Sequence, residues 1–398
     1  MIFRIEASNF DVTDDAPHQP TDKVFSMKIN NSATRFLHGQ TVQVRTALEI
    51  SKTLDPNGKC DGVPFMPEMV QYCGSRARVF RHANKTCVEG HGTRGMKDTV
   101  FLEDLRCDGS VHDGCQRNCL LFWKEAWLKP VEEKGQSAVL SVVSSALDWL
   151  PTRLGDRYYC QSTELYAATF HLSRWNVWQF LEEMRHGELS VSAFLKIVYR
   201  TVMHRLFKFK EVGSLVGTQK KGVRADLGLK RGDWVKVKET EDIRSTLDGS
   251  GRNFGLEFVP SMSEYIGGRY QVDFPIRKII LEQSGKMIRL SNTVALKGVN
   301  CQGLCVKNCP RSSSLYWREI WLQPASPSSV ISIHPTGVSY SDSSASERSV
   351  KGKTRVTHDQ GPSFHRLSIN DGFRFFRFLS KVRFGKIAAL HTTFQRAR

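Results

Sequence analysis

Two stretches of this chain, about 190 residues apart, carry the same pattern, and no other feature constrains the fold as much. The first runs from Gly39 to Pro130 and the second from Gly232 to Pro324. Each opens on an alternating apolar segment, Thr41-Val42-Gln43-Val44 or Asp233-Trp234-Val235-Lys236-Val237. Each continues through a Gly-containing turn, Asp55-Pro56-Asn57-Gly58 or Asp248-Gly249-Ser250-Gly251, and reaches a cysteine-rich loop. Each ends on an aromatic segment, Phe122-Trp123-Lys124-Glu125-Ala126-Trp127-Leu128 or Tyr316-Trp317-Arg318-Glu319-Ile320-Trp321-Leu322. A sequence written twice implies one small module built twice.

Short alternating runs broken by Gly-rich turns read as strands. Arg78–Phe80, residues 97–102, Arg269–Val272 and residues 287–296 continue that pattern. Thr46 with Glu49 has capping-box spacing, so a short helix is expected to start there and stop before Asp55. Thr240 with Glu241 can begin its counterpart. The expected fold class is α+β: two tandem small β-barrels, roughly SH3-like, each closing with a cysteine loop and a short aromatic helix.

The spacing at 164–185 and 191–208 predicts a helical pair joining the modules. The expected division is a loose lead-in at 1–36, a first module at 37–131, a helical connector at 132–210, a second module at 211–324 and a tail at 325–398. A chain of 398 residues exceeds one ordinary core, which agrees with several domains.

The cysteines carry the chemistry. The first loop holds Cys107, Cys115 and Cys119 with His112 inside it, and Cys73 and Cys87 lie upstream. The second holds Cys301, Cys305 and Cys309. A Cys-x3-Cys pair, 115/119 or 305/309, precedes the aromatic segment each time. On a helical turn such a pair shares one face, so both sulfurs can meet one ion.

Zinc takes four N or S ligands. The first loop can supply Cys87, Cys107, Cys115 and Cys119, with His112 or Cys73 as a substitute. The second lacks a fourth, since Ile266 and Ile280 stand where Cys73 and Cys87 do, and Cys160 is a candidate to complete it. An open three-cysteine set also suits an iron–sulfur cluster. The plain alternative is buried thiols with no ligand. Likewise Trp at i and i+4 reads more simply as a core stripe than as a ligand pocket.

Other classes find little support. There is no nucleophile elbow, Walker A sequence, His-Glu-x-x-His or dinucleotide fingerprint. No run of 18 apolar residues occurs, and the N-terminus does not read as a secretory signal, so the cytoplasm is the expected compartment. Reduced thiols there favour metal ligation over disulfides.

The net charge is +17, and residues 325–398 hold 12 Lys/Arg against 4 Asp/Glu, a net of +8. Arg374, Arg377, Lys381, Arg383 and Lys386 alternate with phenylalanines, a pattern suited to nucleic acid or an anionic membrane surface.

The string Cys107-Asp108-Gly109, Gly114-Cys115, Cys119 and Phe122–Leu128, with Tyr316–Leu322 downstream, resembles a family of uncharacterised bacterial proteins with a duplicated cysteine-rich module. The resemblance spans roughly residues 39–324 and implies no particular activity. Three expectations follow: a zinc-stabilised scaffold that binds a protein partner or acidic polymer, a redox or metal-dependent enzyme built on Cys301, Cys305 and Cys309, or a basic protein on an anionic polymer or surface.

Overall fold

Two tryptophans four residues apart organise each module, yet not on a helix. Leu120–Lys124 is a strand, Glu125–Trp127 one turn of 3-10 helix, and Leu128–Pro130 a second strand. Ser314–Arg318, Glu319–Trp321 and Leu322–Pro324 repeat this. The expected aromatic helices are therefore absent, and the reason is burial on both faces. All five residues of Leu120–Lys124 are buried, as are all five of Ser314–Arg318. A doubly covered strand accepts such a continuous run, whereas a short surface helix buries only one stripe.

The structure, a computed structural model, describes residues 36–131, 144–172, 178–195, 197–198, 215–303 and 308–326. The chain divides between Gly337 and Val338, and every described residue belongs to the first unit. The expected lead-in and the basic tail, with Arg374, Arg377, Lys381, Arg383 and Lys386, lie outside the described residues.

Strand dominates the described residues, with few short helices. The first module is a five-stranded antiparallel sheet in the spatial order Leu120–Lys124, Thr99–Arg106, Arg76–His82, Thr41–Val44, Leu128–Pro130. The second has the same order: Ser314–Arg318, Thr293–Asn300, Arg269–Pro275, Trp234–Val237, Leu322–Pro324. The strands at the two ends of each sheet are joined by three residues of 3-10 helix, so each sheet must curl into a half-barrel. The capping box at Thr46 and Glu49 forms as the sequence predicts, and the helix is Ala47–Ser51. Its counterpart, Thr240–Arg244, lacks a side-chain cap.

Inside the curl, Phe65 meets Trp123 and Trp127 edge-on, with centroids 6.2 and 5.1 Å apart. Phe258 meets Trp317 and Trp321 in the same way, at 6.1 and 5.5 Å. The inner tryptophan nitrogen is satisfied in both copies: Trp127 donates to Thr53 Oγ1 at 3.0 Å and Trp321 to Thr246 Oγ1 at 2.9 Å. Each aromatic pair of this kind contributes about 0.5–1.5 kcal/mol beyond its buried area.

The connector is only partly helical. Residues 164–168 form turns rather than the expected helix, and the connector's first described α-helix is Trp178–Arg185. Residues 191–195 and 197–198 are helical, and the rest of the expected second helix lies outside the described residues. Leu147, Leu150, Cys160 and Leu165 belong to the first module's core. Gln161 fixes that docking: its amide accepts from Phe122 N at 2.8 Å and donates to Phe122 O at 2.8 Å and to Pro64 O at 2.9 Å.

The modules exchange their cysteine loops. The first loop lies on the second module: Gln116 N donates to Lys278 O at 3.0 Å and Arg117 Nη1 to Ile280 O at 2.9 Å. The second loop lies on the first: Arg311 Nη1 donates to Cys87 O at 2.9 Å, and Asn308 O accepts from Arg81 at 3.1 Å. Where the loops meet, the buried Glu282 carboxylate accepts from Arg311 at 2.5 Å and from Arg117 at 3.2 Å, and its other oxygen accepts from Glu89 N at 2.9 Å. Burial works to raise the Glu282 carboxyl, but Arg311 and Arg117 outweigh it and hold the group below the usual carboxylate range.

Removing one partner from such a buried cluster costs about 3–5 kcal/mol. Arg311→Met is expected to lose that much, measured by urea unfolding at neutral pH. Because the Glu282 carboxyl is depressed in the folded state, its stabilisation is complete above the unfolded value of about 4.3 and is lost as pH falls through the lower folded value. An acid titration of stability should show that loss in the native chain, and Arg311→Met should move its onset to higher pH.

Candidate metal centre

Residue equivalence has to be settled before the cysteines can be compared. Cys107 N donates to Cys119 O at 2.8 Å, and Cys301 N donates to Ser313 O at 2.8 Å. Gly114 N donates to Gly109 O at 2.9 Å, and Asn308 N to Gly303 O at 3.0 Å. Asn118 and Ser312 share left-handed backbone, with φ of 54° and 43°. The loops therefore match with Cys107 opposite Cys301 and Cys115 opposite Cys309. Cys119 is opposite Ser313. The expected match of the pair 115/119 with 305/309 is out of register by four, because a shared spacing does not fix a shared position. The conserved geometry at each loop is Cys-x-Arg: Cys115 with Arg117, and Cys309 with Arg311.

In the first loop, Cys107, His112, Cys115 and Cys119 line one cavity of about 30 Å³ together with Cys160 and Gln161 from the connector. Cys160 thus faces the first module's thiols rather than completing a second set. The loop is folded tightly around Gly109, whose φ is +70° and where a Cβ would stand 2.1 Å from the Cys115 carbonyl oxygen. Only glycine fits there.

The closest donors in this region are Glu68, Cys107 and His112, each offering one ligand atom within 4.8 Å of the others. The Cys107 thiol donates to Glu68 Oε1 at 3.1 Å. His112 Nδ1 lies 3.3 Å from the same oxygen, and His112 Nε2 is 2.9 Å from Tyr159 O. Glu68 comes from the 3-10 helix Pro67–Tyr72. No three cysteine sulfurs among the described residues lie as close together, so the thiols frame the cavity more loosely than a tetrahedral cage.

Burial dominates the acidity of this region. It pushes the Cys107 and Cys115 thiols up and Cys160 up to about 12; Glu68 and Cys119 add to the rise at Cys107. For His112 burial works downward, but its hydrogen bond to and the charge of Glu68 prevail and raise it. Burial thus disfavours the thiolates, and a cation that displaced the thiol protons would offset the cost of charging them. Arg117 and Arg311 also line the cavity and would offset the charge of a thiolate centre.

The other cysteines lie elsewhere. Cys87 is not in the cavity; it sits on the Lys85–Val88 strand against Cys309 and Arg311, whose Nη1 is 4.0 Å from its sulfur. Cys301 lies 3.5 Å from Ser261 Oγ, and Cys305 is outside the described residues. The three-cysteine set expected in the second loop is thus seen in two members, one of which faces the first module. Cys73 is half-buried away from the cavity.

Glu68, Gln161 and the Glu282 cluster were not singled out by the sequence reading. The one available signal was the Cys-x-Arg repeat. A second close donor group, His82, His186 and Glu188, was also missed, because His82 lies about a hundred residues from the other two.

Cys87 and Cys309 form a coupled pair. The Cys309 thiol hydrogen-bonds Cys87 and, with Arg311 and against burial, lowers the Cys87 value; Cys309 itself is raised. Burial raises Cys60 and Cys73 to about 11 each. Iodoacetamide labelling of the native protein near pH 6.5, read by mass spectrometry, should therefore modify Cys87 before Cys60 and Cys73, and Cys309→Ala should slow it. Faster labelling of Cys60 or Cys73 would contradict this assignment.

Comparison of the chain with family models, with curated proteins and with solved structures finds no match.

Proposed function

We propose that this chain is a zinc-stabilised binding scaffold in which two SH3-like modules are locked together and present their outer surfaces to a partner. The observation that carries the metal is the convergence of Cys107, Cys115, Cys119, Cys160 and His112 on one small cavity, with Glu68 against two of them. The zinc is held by Cys107, His112 and two of the remaining three thiols, which draw inward when deprotonated. Such a closed donor set describes a structural ion more than a catalytic one, which keeps an open position.

The scaffold reading also rests on where the ion would act. The cavity lies where the first loop, the connector and Ile280 of the second module meet, so an ion there ties three separate segments. Binding energy at such a site adds directly to folding energy. Among the described residues no helix is long and apolar enough to cross a membrane. A protein partner or acidic polymer is the proposed ligand of the scaffold; nucleic acid or an anionic membrane surface would engage the basic tail. A redox or iron–sulfur centre on Cys301, Cys305 and Cys309 is the competing proposal, and the loop exchange draws Cys309 away from it.

Elemental analysis of protein purified without chelator should find zinc, and the double variant Cys107→Ser/Cys119→Ser should lose one equivalent. Cobalt substitution should give intense thiolate charge-transfer absorption in the native chain and none in the variant. Metal below about 0.2 per chain would remove the proposal. A brown, iron-containing protein would favour the competing one.

A further inference from the structure

We propose that Cys87 and Cys309 are a redox-active pair: a hydroperoxide oxidises Cys87, and Cys309 closes on it as a disulfide that bolts the second cysteine loop to the first module. The pair stands outside the cysteine cavity and does not depend on the zinc reading. Cys87 lies on the Lys85–Val88 strand of the first module, and Cys309 lies in the second loop, two residues before Arg311. Both are free thiols, with Cys309 buried and Cys87 the more exposed. The Cys309 thiol hydrogen-bonds Cys87.

The reciprocal docking of the loops brings these sulfurs together. Ala83 N donates to Thr99 O and Ile276 N to Thr293 O, both at 2.8 Å, so Cys87 matches Ile280. Arg311 Nη1 donates to Cys87 O at 2.9 Å, and its counterpart Arg117 Nη1 donates to Ile280 O, also at 2.9 Å. In the first loop this docking holds Cys115 Sγ 3.3 Å from Ile280 N. Cys309, opposite Cys115, meets Cys87 through the same arrangement. The partner side chain is a thiol in one copy and a buried isoleucine in the other. A hydrocarbon fills the equivalent position, so packing alone does not call for sulfur at Cys87.

The surroundings suit the chemistry. Arg311 Nη1 stands 4.0 Å from the Cys87 sulfur, and a guanidinium beside a sulfur favours the thiolate, the form that reacts. The Cys309 hydrogen bond and the Arg311 charge, against burial and Glu282, hold Cys87 at about 5, while Cys309 is raised and keeps its proton. The Cys87 thiolate attacks one peroxide oxygen, the O–O bond breaks, and the leaving hydroxide or alkoxide takes a proton from water. Cys87 is left as the sulfenic acid. The Cys309 sulfur then displaces that hydroxyl, which departs with the thiol proton as water, and the S–S bond forms. Two electrons pass from the thiols to the peroxide, and a dithiol reductant restores them by exchange.

Hydrogen peroxide treatment of the full-length protein at neutral pH, followed by alkylation and non-reducing peptide mapping by mass spectrometry, tests this. The Cys87 and Cys309 peptides should appear as one cross-linked species that dithiothreitol separates. In Cys309→Ser the cross-link should vanish and dimedone should trap Cys87 as its sulfenic acid, whereas Cys87→Ser should leave Cys309 without dimedone. Mapping of the native chain decides the matter even if a variant fails to fold. Cys87 and Cys309 both still alkylated after other thiols have been oxidised, or Cys87 recovered in a disulfide with a different cysteine, would overturn the proposal.

Discussion

A single buried carboxylate, Glu282, holds the two halves of this structure together. It receives Arg311 from the loop of its own module and Arg117 from the first module's loop, which has to cross to the opposite module to reach it. The crossing has consequences on both sides. Cys115 is packed within the second module's core although it belongs to the first loop. The first loop is consequently braced from outside, with Cys115 Sγ accepting from Ile280 N at 3.3 Å. The walls of the cysteine cavity therefore come from parts of the chain that no single module contains.

This arrangement explains an asymmetry between two otherwise matching modules. Both have the Phe–Trp–Trp core, the Asp-anchored turn and the Cys-x-Arg element. Asp55 Oδ1 accepts from Asn57 N and Lys59 N, and Asp248 Oδ1 from Ser250 N and Arg252 N. The polar clusters differ. The first module gains Glu68, where the second has Ser261 next to Cys301. It also gains His112, Cys119 and the docked connector with Cys160 and Gln161. Donor groups have accumulated on one copy, and the other serves as the clamp that closes them in.

Much of the fold can be read from the residues themselves. Val42, Val44, Val235 and Val237 alternate inward as a half-buried strand requires, and the Thr46 capping box starts its helix on cue. The aromatic segments misled because Trp at i and i+4 fits a helix and equally a strand that runs into a 3-10 turn. The cysteine spacing misled for a similar reason: 115/119 and 305/309 are alike in separation but occupy different places in their loops. Contacts such as Arg117 with Glu282 leave no local trace, since charge pairing across about 165 residues depends on how two modules dock rather than on any nearby pattern.

The central claim is that the loop exchange frames a zinc site in the first module. Anomalous X-ray scattering measured on either side of the zinc absorption edge, from crystals of chelator-free protein, tests it most directly. The account predicts an anomalous peak inside the cavity bounded by Cys107, His112, Cys115, Cys119 and Cys160, with sulfur ligands at about 2.3 Å. A map with no peak there, and thiols separated by nothing but water or van der Waals contact, would contradict it.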